Sequence, residues 1–221
     1  MRSLGAGFNK MIKKINFNEK DKELIRKKLN HIGFNSASWS DDDLADLRGR
    51  IKEFYLKEQK FTCLYCRQVH KTKNGRCWDI EHIASRHDFP QFMFEPENLC
   101  VACIDCNLAK SNKKITTSKA KVNYPNRSES YLIVHPHFDE YKKNILVIKE
   151  GFYYVAIKPK GEKTIDICRL NRFYEYADFG EDVQDDERIF ILSEQLKNTK
   201  EEFKKKAIRK EIAALAIQGA A

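Results

Sequence analysis

The sequence lacks any long hydrophobic segment. None of its 221 residues belongs to an apolar run near the ~18 residues that a membrane-spanning helix requires, so no membrane span is expected. Residues Met1 to Lys10 also lack the apolar stretch of about 7–15 residues typical of a secretory signal, which predicts a cytoplasmic location. This segment contains Gly5-Ala6-Gly7 and resembles a flexible leader or a remnant of cloning. With 42% hydrophobic and 33% charged residues, the chain is expected to be globular.

The C-terminal part of the chain lacks the excess of positive charge found elsewhere. Residues 124–221 carry 17 Lys and Arg against 17 Asp and Glu, whereas residues 1–60 carry 14 against 9 and residues 61–123 carry 10 against 6. The whole net charge of +9 therefore lies in the first 123 residues. A basic half predicts a polyanionic partner, although a solvated lysine-rich surface would give the same composition. The neutral part is where a protein partner is expected.

Cysteines are few, but they are clustered. Six of the seven lie between residues 63 and 106, and four form two Cys-x-x-Cys pairs, Cys63/Cys66 and Cys103/Cys106. Disulfides are rare in the cytosol, whereas two such turns can supply four thiolates to one tetrahedral ion. The spacing therefore predicts a structural Zn²⁺ site, with a redox pair as the alternative. Cys100 lies in an apolar run and is expected to be buried.

Hydrophobic periodicity predicts an α+β chain. Asn18 to His31 has helical spacing, and Ser40 is predicted to begin a second helix with an apolar stripe. The stripe consists of Leu44, Leu47, Ile51, Phe54 and Tyr55. Short strands are predicted at 131–134, 145–148, 152–157 and 164–168, with Pro159-Lys160-Gly161 as a turn. One long terminal helix, or two, is predicted from residue 186 onward. These elements divide the chain into 1–60, 61–123 and 124–221.

The residues with chemical potential lie between 78 and 110. Trp78–Ile83 is predicted to form a short strand that ends in the pair Glu81-His82, Leu99–Ala102 a second strand, and a helix follows from Asp105. This order brings Glu81, His82 and Asn107 to one edge. Because neighbouring residues of a regular strand point to opposite faces, Glu81 and His82 can share a site only where the strand ends or bends.

These residues resemble the HNH endonucleases, which have the ββα-metal fold. The pattern appears as Glu81-His82, then Asn98-Leu99, then Cys103-Ile104-Asp105-Cys106-Asn107-Leu108-Ala109-Lys110, with Cys63-Leu64-Tyr65-Cys66 upstream. The resemblance covers about residues 61–114 and implies a zinc-stapled nuclease core over 61–123. A helical extension would precede the core at 1–60. A β-rich segment with a long C-terminal helix would follow at 124–221 as a possible partner-binding region.

The resemblance also implies a role for each matching residue. His82 corresponds to the general base, and Glu81 and Asn107 correspond to ligands of a catalytic Mg²⁺ or Mn²⁺ ion. Asn98 corresponds to the middle Asn, which braces a loop and orients the histidine. Lys110 corresponds to a lysine that lies near the phosphate or packs in the helix. The residues expected to bind nucleic acid are Lys110, Arg86, Lys113 and Lys114.

Three further residues leave alternatives open. Asp79 lies two positions before Glu81 and fits either an additional acid of the site or an exposed strand residue. His135 and His137 flank Pro136 and fit either a second metal site or a turn.

The implied activity is metal-dependent hydrolysis of phosphodiester bonds, with DNA as the expected substrate. Inside the nuclease class, a restriction-type enzyme is the alternative. Outside it, the alternative is a non-catalytic zinc-stapled module for nucleic-acid binding or assembly. A looser, architecture-level similarity to the HNH subunit of Septu-type anti-phage systems implies a regulatory partner such as an ATPase.

Overall fold

A computed structural model describes residues 11–70, 72, 75–119, 121–173 and 187–218 of the chain. The chain divides into two compact units, Met1–Glu140 and Tyr141–Ala221. Residues 124–140, which the sequence-based division groups with the C-terminal segment, belong to the first unit. The leader predicted for residues 1–10 lies outside the described residues. Among the described helices, none combines the length with the apolar character that a bilayer crossing requires.

Two helices begin the first unit. Helix α1 spans Glu19–Leu29, and the Asn18 side chain caps it by accepting a hydrogen bond from the amide of Asp21 at 2.8 Å. Helix α2 spans Ala45–Glu58. The predicted apolar stripe is confirmed at four positions, whose side chains are fully buried: Leu44, Leu47, Ile51 and Tyr55. The fifth predicted position, Phe54, is partly exposed.

The predicted start of the second helix at Ser40 is wrong. Ser36–Ser40 and Asp42–Leu44 are short 3-10 helices, and the side-chain cap comes from Asn35, whose amide oxygen accepts from the amide of Ala37. The Arg48 guanidinium then holds this stretch by donating to two main-chain carbonyls in it. Tight turns therefore carry the chain into α2 where a continuous helix was expected.

A strand pair followed by a helix forms the centre of the first unit. Strands β1 (Trp78–His82) and β2 (Leu99–Cys103) pair antiparallel, and helix α3 (Ile104–Lys110) begins directly after β2. The predicted strands and helix are confirmed here. The free edge of β2 is closed by Gln59 at the end of α2, because its side chain donates to the Val101 carbonyl and accepts from the Val101 amide, both at 2.8 Å.

Among the described residues, the second unit contains two strands, a short 3-10 helix at Tyr141–Lys143 and the three α-helices whose bounds follow. Strands β3 (Ile145–Lys149) and β4 (Tyr153–Ala156) form an antiparallel pair. The helices are α4 (Pro159–Ile167), α5 (Glu187–Asn198) and α6 (Glu202–Gln218). The core of this unit consists of Leu146, Tyr153, Val155, Leu192, Ile208 and Leu215.

The prediction of a β-rich C-terminal segment is wrong at two places. Residues 164–168 continue helix α4 and its last turn, because Pro159 suits the first helical position and starts a helix where a turn was expected. Residues 131–134 form no strand, and only Tyr131 makes an isolated bridge, to Thr116. The chain as described is α+β, with more of the second unit in helices than in strands.

Candidate functional site

Four cysteines converge at the base of the strand pair. The Sγ atoms of Cys63, Cys66, Cys103 and Cys106 all lie within 4.8 Å of one another, and all four residues are buried. The Sγ atoms of Cys66 and Cys103 are 3.8 Å apart. A tetrahedral ion with Zn–S bonds of about 2.3 Å separates its sulfurs by about 3.8 Å. The cluster could therefore bind a metal such as zinc.

The four thiols of the cluster perturb one another. Hydrogen bonds to the neighbouring thiols and burial raise the pKa of Cys106. The amide of Cys103 donates to Cys63 Sγ at 3.4 Å, a bond that favours a thiolate at Cys63. Four buried thiolates would repel one another strongly without a cation, so the donor set fits a metal better than an empty thiolate cluster.

The carboxylate of Glu81 is buried in an ion pair. Its Oε1 lies 2.6 Å from the Nζ of Lys110 and accepts a hydrogen bond from the Tyr65 hydroxyl at 3.0 Å. Burial raises the pKa of the Glu81 carboxyl, while Lys110 and Tyr65 oppose that rise. Lys110 is 1% exposed and also donates to the carbonyl of His82 at 3.1 Å. Of the two roles implied for Lys110, the structure places it in the packed one.

His82 lies at the end of β1 with one ring nitrogen engaged. Its Nε2 is 3.1 Å from the main-chain carbonyl of Met93, and the Trp39 ring meets the imidazole edge-on at 4.5 Å. Because a carbonyl oxygen only accepts hydrogen bonds, Nε2 carries the hydrogen and Nδ1 is the nitrogen that can take up a proton. Burial, followed by the charges of Arg86 and Lys110, lowers the pKa of His82 to about 3, so the ring is neutral at pH 7.

Asn98 braces the loop that joins β1 to β2. It is fully buried, and its side chain accepts from the Ala84 amide at 2.7 Å and donates to the carbonyls of Ala84 (3.1 Å) and Phe92 (3.0 Å). Phe92 precedes Met93, whose carbonyl binds His82. The amide of Asn98 therefore connects the two ends of the loop that orients the imidazole.

Asn107 lies on the first turns of α3 and faces β1. Its Nδ2 donates to Asp79 Oδ2 at 2.8 Å. Of the two alternatives for Asp79, this contact favours membership of the site. Asp79 and Glu81 are two positions apart on one strand and so point to the same face.

A cleft of about 920 Å³ is lined by Asp79, Glu81, His82 and Asn107. Residues of the N-terminal part and of the strand-helix core both contribute to it, among them Trp39, Arg48, Lys52, His82, Asn107 and Arg86. The Arg86 guanidinium donates to the carbonyl of Ser36 and so ties the β1–β2 loop to the 3-10 segment. Lys113 and Lys114 follow α3 and are exposed. We call this space the His82 cleft.

Sequence reasoning missed Tyr124 and His135 as contributors. The His137 amide donates to His135 Nδ1 at 3.3 Å, so His135 Nε2 carries the hydrogen and donates to the Tyr124 hydroxyl at 3.0 Å. That hydroxyl lies 3.2 Å from Asn98 Oδ1, to which it donates. No spacing in the sequence connects Tyr124 with Asn98, because the contact joins segments 26 residues apart.

The turn interpretation of His135-Pro136-His137 is confirmed. The amides of Phe138 and Asp139 both donate to the His135 carbonyl, which closes a turn. The Nε2 of His137 bonds the carbonyl of Leu99 at 2.9 Å. Within the described residues, the four cysteines are the one group of three or more His, Cys, Asp and Glu side chains gathered closely enough to hold a metal.

Comparisons with family models, curated proteins and solved structures gave no match to this chain.

Proposed function

We propose that the chain is a metal-dependent endonuclease of the HNH type, with β1, β2 and α3 as its ββα core and DNA as its substrate. The observation that carries the proposal is the hydrogen bond between His82 Nε2 and the Met93 carbonyl. It leaves Nδ1 as the proton acceptor of a neutral imidazole that lines a cleft together with Asp79, Glu81 and Asn107. A neutral imidazole in this tautomer can accept the proton of an attacking water. Because a general base works best with a pKa near the working pH, the proposal requires the pKa of His82 to rise from about 3 when substrate and metal are bound.

The oxygen donors beside His82 suit a hard divalent cation. Glu81 and Asn107 would hold Mg²⁺ or Mn²⁺, with Asp79 adjacent to both in the fold. When bound, such an ion supplies positive charge to the phosphate and to the departing oxygen. In the structure described here Lys110 provides the cation at Glu81, so the nuclease requires Glu81 to exchange that partner for the metal.

The remaining candidate residues position the general base, stabilise the fold or attract the substrate. Asn98 positions the loop whose carbonyl binds His82, and the cysteine cluster with zinc stabilises the junction of β2 and α3. Arg86, Lys113 and Lys114 supply positive charge close to the cleft. By the architecture-level resemblance alone, a regulatory partner such as an ATPase controls the enzyme.

A plasmid-nicking assay tests the proposal. The full chain is incubated with supercoiled plasmid or with RNA in the presence of Mg²⁺ or Mn²⁺, and the His82→Ala variant is the comparison. We expect cleavage of DNA by the wild type and a loss of about 100-fold or more in the variant. Cleavage that survives His82→Ala would refute the role of the base. Binding without cleavage by the wild type would favour the non-catalytic module.

A further inference from the structure

One face of helix α2 is directed into the His82 cleft. Arg48, Gly49 and Lys52 all line it. Lys52 lies four positions after Arg48 and three after Gly49, so it is a neighbour of both on the helix surface. We call these three residues the α2 cleft face. It belongs to the N-terminal helical extension and lies outside every motif of the nuclease resemblance.

Gly49 has no structural reason to be glycine. It lies inside α2, where glycine destabilises a helix relative to alanine. A Cβ atom added at Gly49 would meet nothing within 4 Å, so no neighbouring group requires its absence. Here the missing side chain leaves the helix backbone open to whatever occupies the cleft.

Arg48 brings a positive charge to the same face. Its Nη1 donates to the carbonyls of Trp39 at 2.6 Å and Asp41 at 2.8 Å, and these acceptors carry no net charge. Within the described residues Arg48 has no acidic partner. By contrast, Lys57 on the same helix is paired with Glu53 at 2.7 Å.

Lys52 adds an ammonium group one turn further along the helix, where it donates to the carbonyl of Trp78. The cleft thus combines two cations with an uncovered stretch of helix backbone. A phosphodiester backbone fits both features, since its phosphates pair with Arg and Lys and its bulk requires close approach.

We infer that the α2 cleft face binds the phosphodiester backbone of the substrate, with Arg48 and Lys52 contacting phosphates and Gly49 admitting the strand. The inference rests on the proposed nuclease function, because it assigns a surface to the same substrate. It makes the N-terminal extension a part of the substrate site.

The first test uses substitutions of Gly49, because adding a side chain there should raise the stability of the protein and weaken its binding of nucleic acid. All variants are made in the full-length His82→Ala background so that the probes stay intact. The probes are fluorescein-labelled 30-nucleotide DNA in single-stranded and duplex form and RNA of the same sequence. Gly49→Ala should raise the thermal midpoint by about 1–4 °C and weaken binding of the preferred probe, and Gly49→Gln should weaken it further. A purely structural glycine would not produce this opposition.

The second test uses charge. Arg48→Gln should weaken binding by about tenfold and reduce the slope of log K against log salt concentration by about one. Arg48→Lys should retain the slope, since it keeps the charge. Lys57→Gln removes a charge from the same helix outside the cleft, so both its affinity and its slope should equal those of the parent.

The outcomes separate this inference from the nuclease proposal. Parent-like binding by Gly49→Gln and Arg48→Gln would overturn the α2 cleft face, whatever the wild type cleaves. Failure of the parent to bind any of the probes would overturn it as well. Weaker binding by these variants in a protein that never cleaves would support the α2 cleft face and refute the nuclease.

Discussion

The Nε2 hydrogen of His82 is donated to the carbonyl of Met93, at 3.1 Å. This bond fixes the tautomer of an imidazole that lines the cleft. The carbonyl belongs to the loop that Asn98 braces, and Asn98 in turn accepts a hydrogen bond from Tyr124. The orientation of the histidine thus depends on residues well beyond β1.

Tyr124→Phe should slow cleavage without weakening DNA binding. The hydroxyl connects His135 to Asn98, so its removal loosens the loop and costs about 1 kcal/mol of stability. A small displacement of a catalytic group can reduce kcat by about tenfold or more, whereas KM should stay unchanged. Steady-state kinetics measure both.

The control for Tyr124→Phe is Tyr153→Phe, which removes a hydroxyl bonded to Glu211 in the second unit. It should leave kcat unchanged. An equal loss in both variants would show that Tyr124 has no particular connection to His82.

Metal removal should unfold the first unit. The binding free energy of a structural zinc site is on the order of 10 kcal/mol, comparable with the stability of a whole domain. We expect about one zinc ion per chain by elemental analysis and loss of both metal and structure in Cys106→Ser. Cys77→Ser changes a partly exposed cysteine outside the cluster and should retain the metal. A metal-free wild type with full stability would contradict the assignment.

Lys110→Met should be strongly destabilising. It leaves the Glu81 carboxylate buried without its cation, which costs about 3–5 kcal/mol. The double variant Glu81→Gln with Lys110→Met removes both charges and should recover a large part of that loss in urea unfolding. Mn²⁺ should stabilise Lys110→Met more than the wild type, because the ion then has no competitor at Glu81. Purely additive effects of the two substitutions would exclude a coupled pair.

Stability should fall as the pH is lowered below about 6.5, partly through His137. Burial lowers the pKa of this histidine from its usual 6.5, while the carbonyl of Leu99 and the charge of Glu97 oppose the shift. Below pH 6.5, His137 therefore binds a proton in the unfolded chain but stays neutral in the folded chain. The free energy of unfolding falls as a result, by up to about 1.4 kcal/mol for each pH unit.

His137→Gln should reduce this dependence, because it removes the titrating group while retaining a donor for Leu99. Urea unfolding at pH 7.5, 6.0 and 5.0 gives the comparison. An identical pH dependence in both proteins would rule out His137 as a source.

Gly161→Ala should disrupt the second unit. A Cβ atom there would lie 2.0 Å from the Asn144 carbonyl oxygen, a main-chain atom that cannot move aside cheaply. Overpacking of this kind costs about 1–3 kcal/mol or more. Gly49→Ala, which meets open space, is the matched control and should be stabilising. Unchanged thermal unfolding of Gly161→Ala would contradict the close approach of α4 to Asn144.

The local sequence pattern was sufficient to predict structure where residues close together in the chain determine that structure. The two-residue gap within each Cys-x-x-Cys pair predicted a cluster that the structure assembles, and the strands around Glu81-His82 and Leu99–Ala102 are confirmed. The prediction from local pattern failed at residues 164–168, where a short alternation of apolar residues is compatible with a strand and with a helix. There Pro159, at the first helical position, favours the start of a helix.

By itself, the sequence determined which four cysteines cluster and the order of the strands and the helix around them, because these depend on spacing within short segments. The family resemblance supplied the candidate residues Glu81, His82, Asn98 and Asn107. Only the tertiary structure decided how those residues are engaged. It paired Lys110 with Glu81, set the hydrogen of His82 on Nε2, and brought Tyr124 to Asn98 and α2 to the cleft. These contacts join segments far apart in the chain, and burial of charged and polar groups selects their partners.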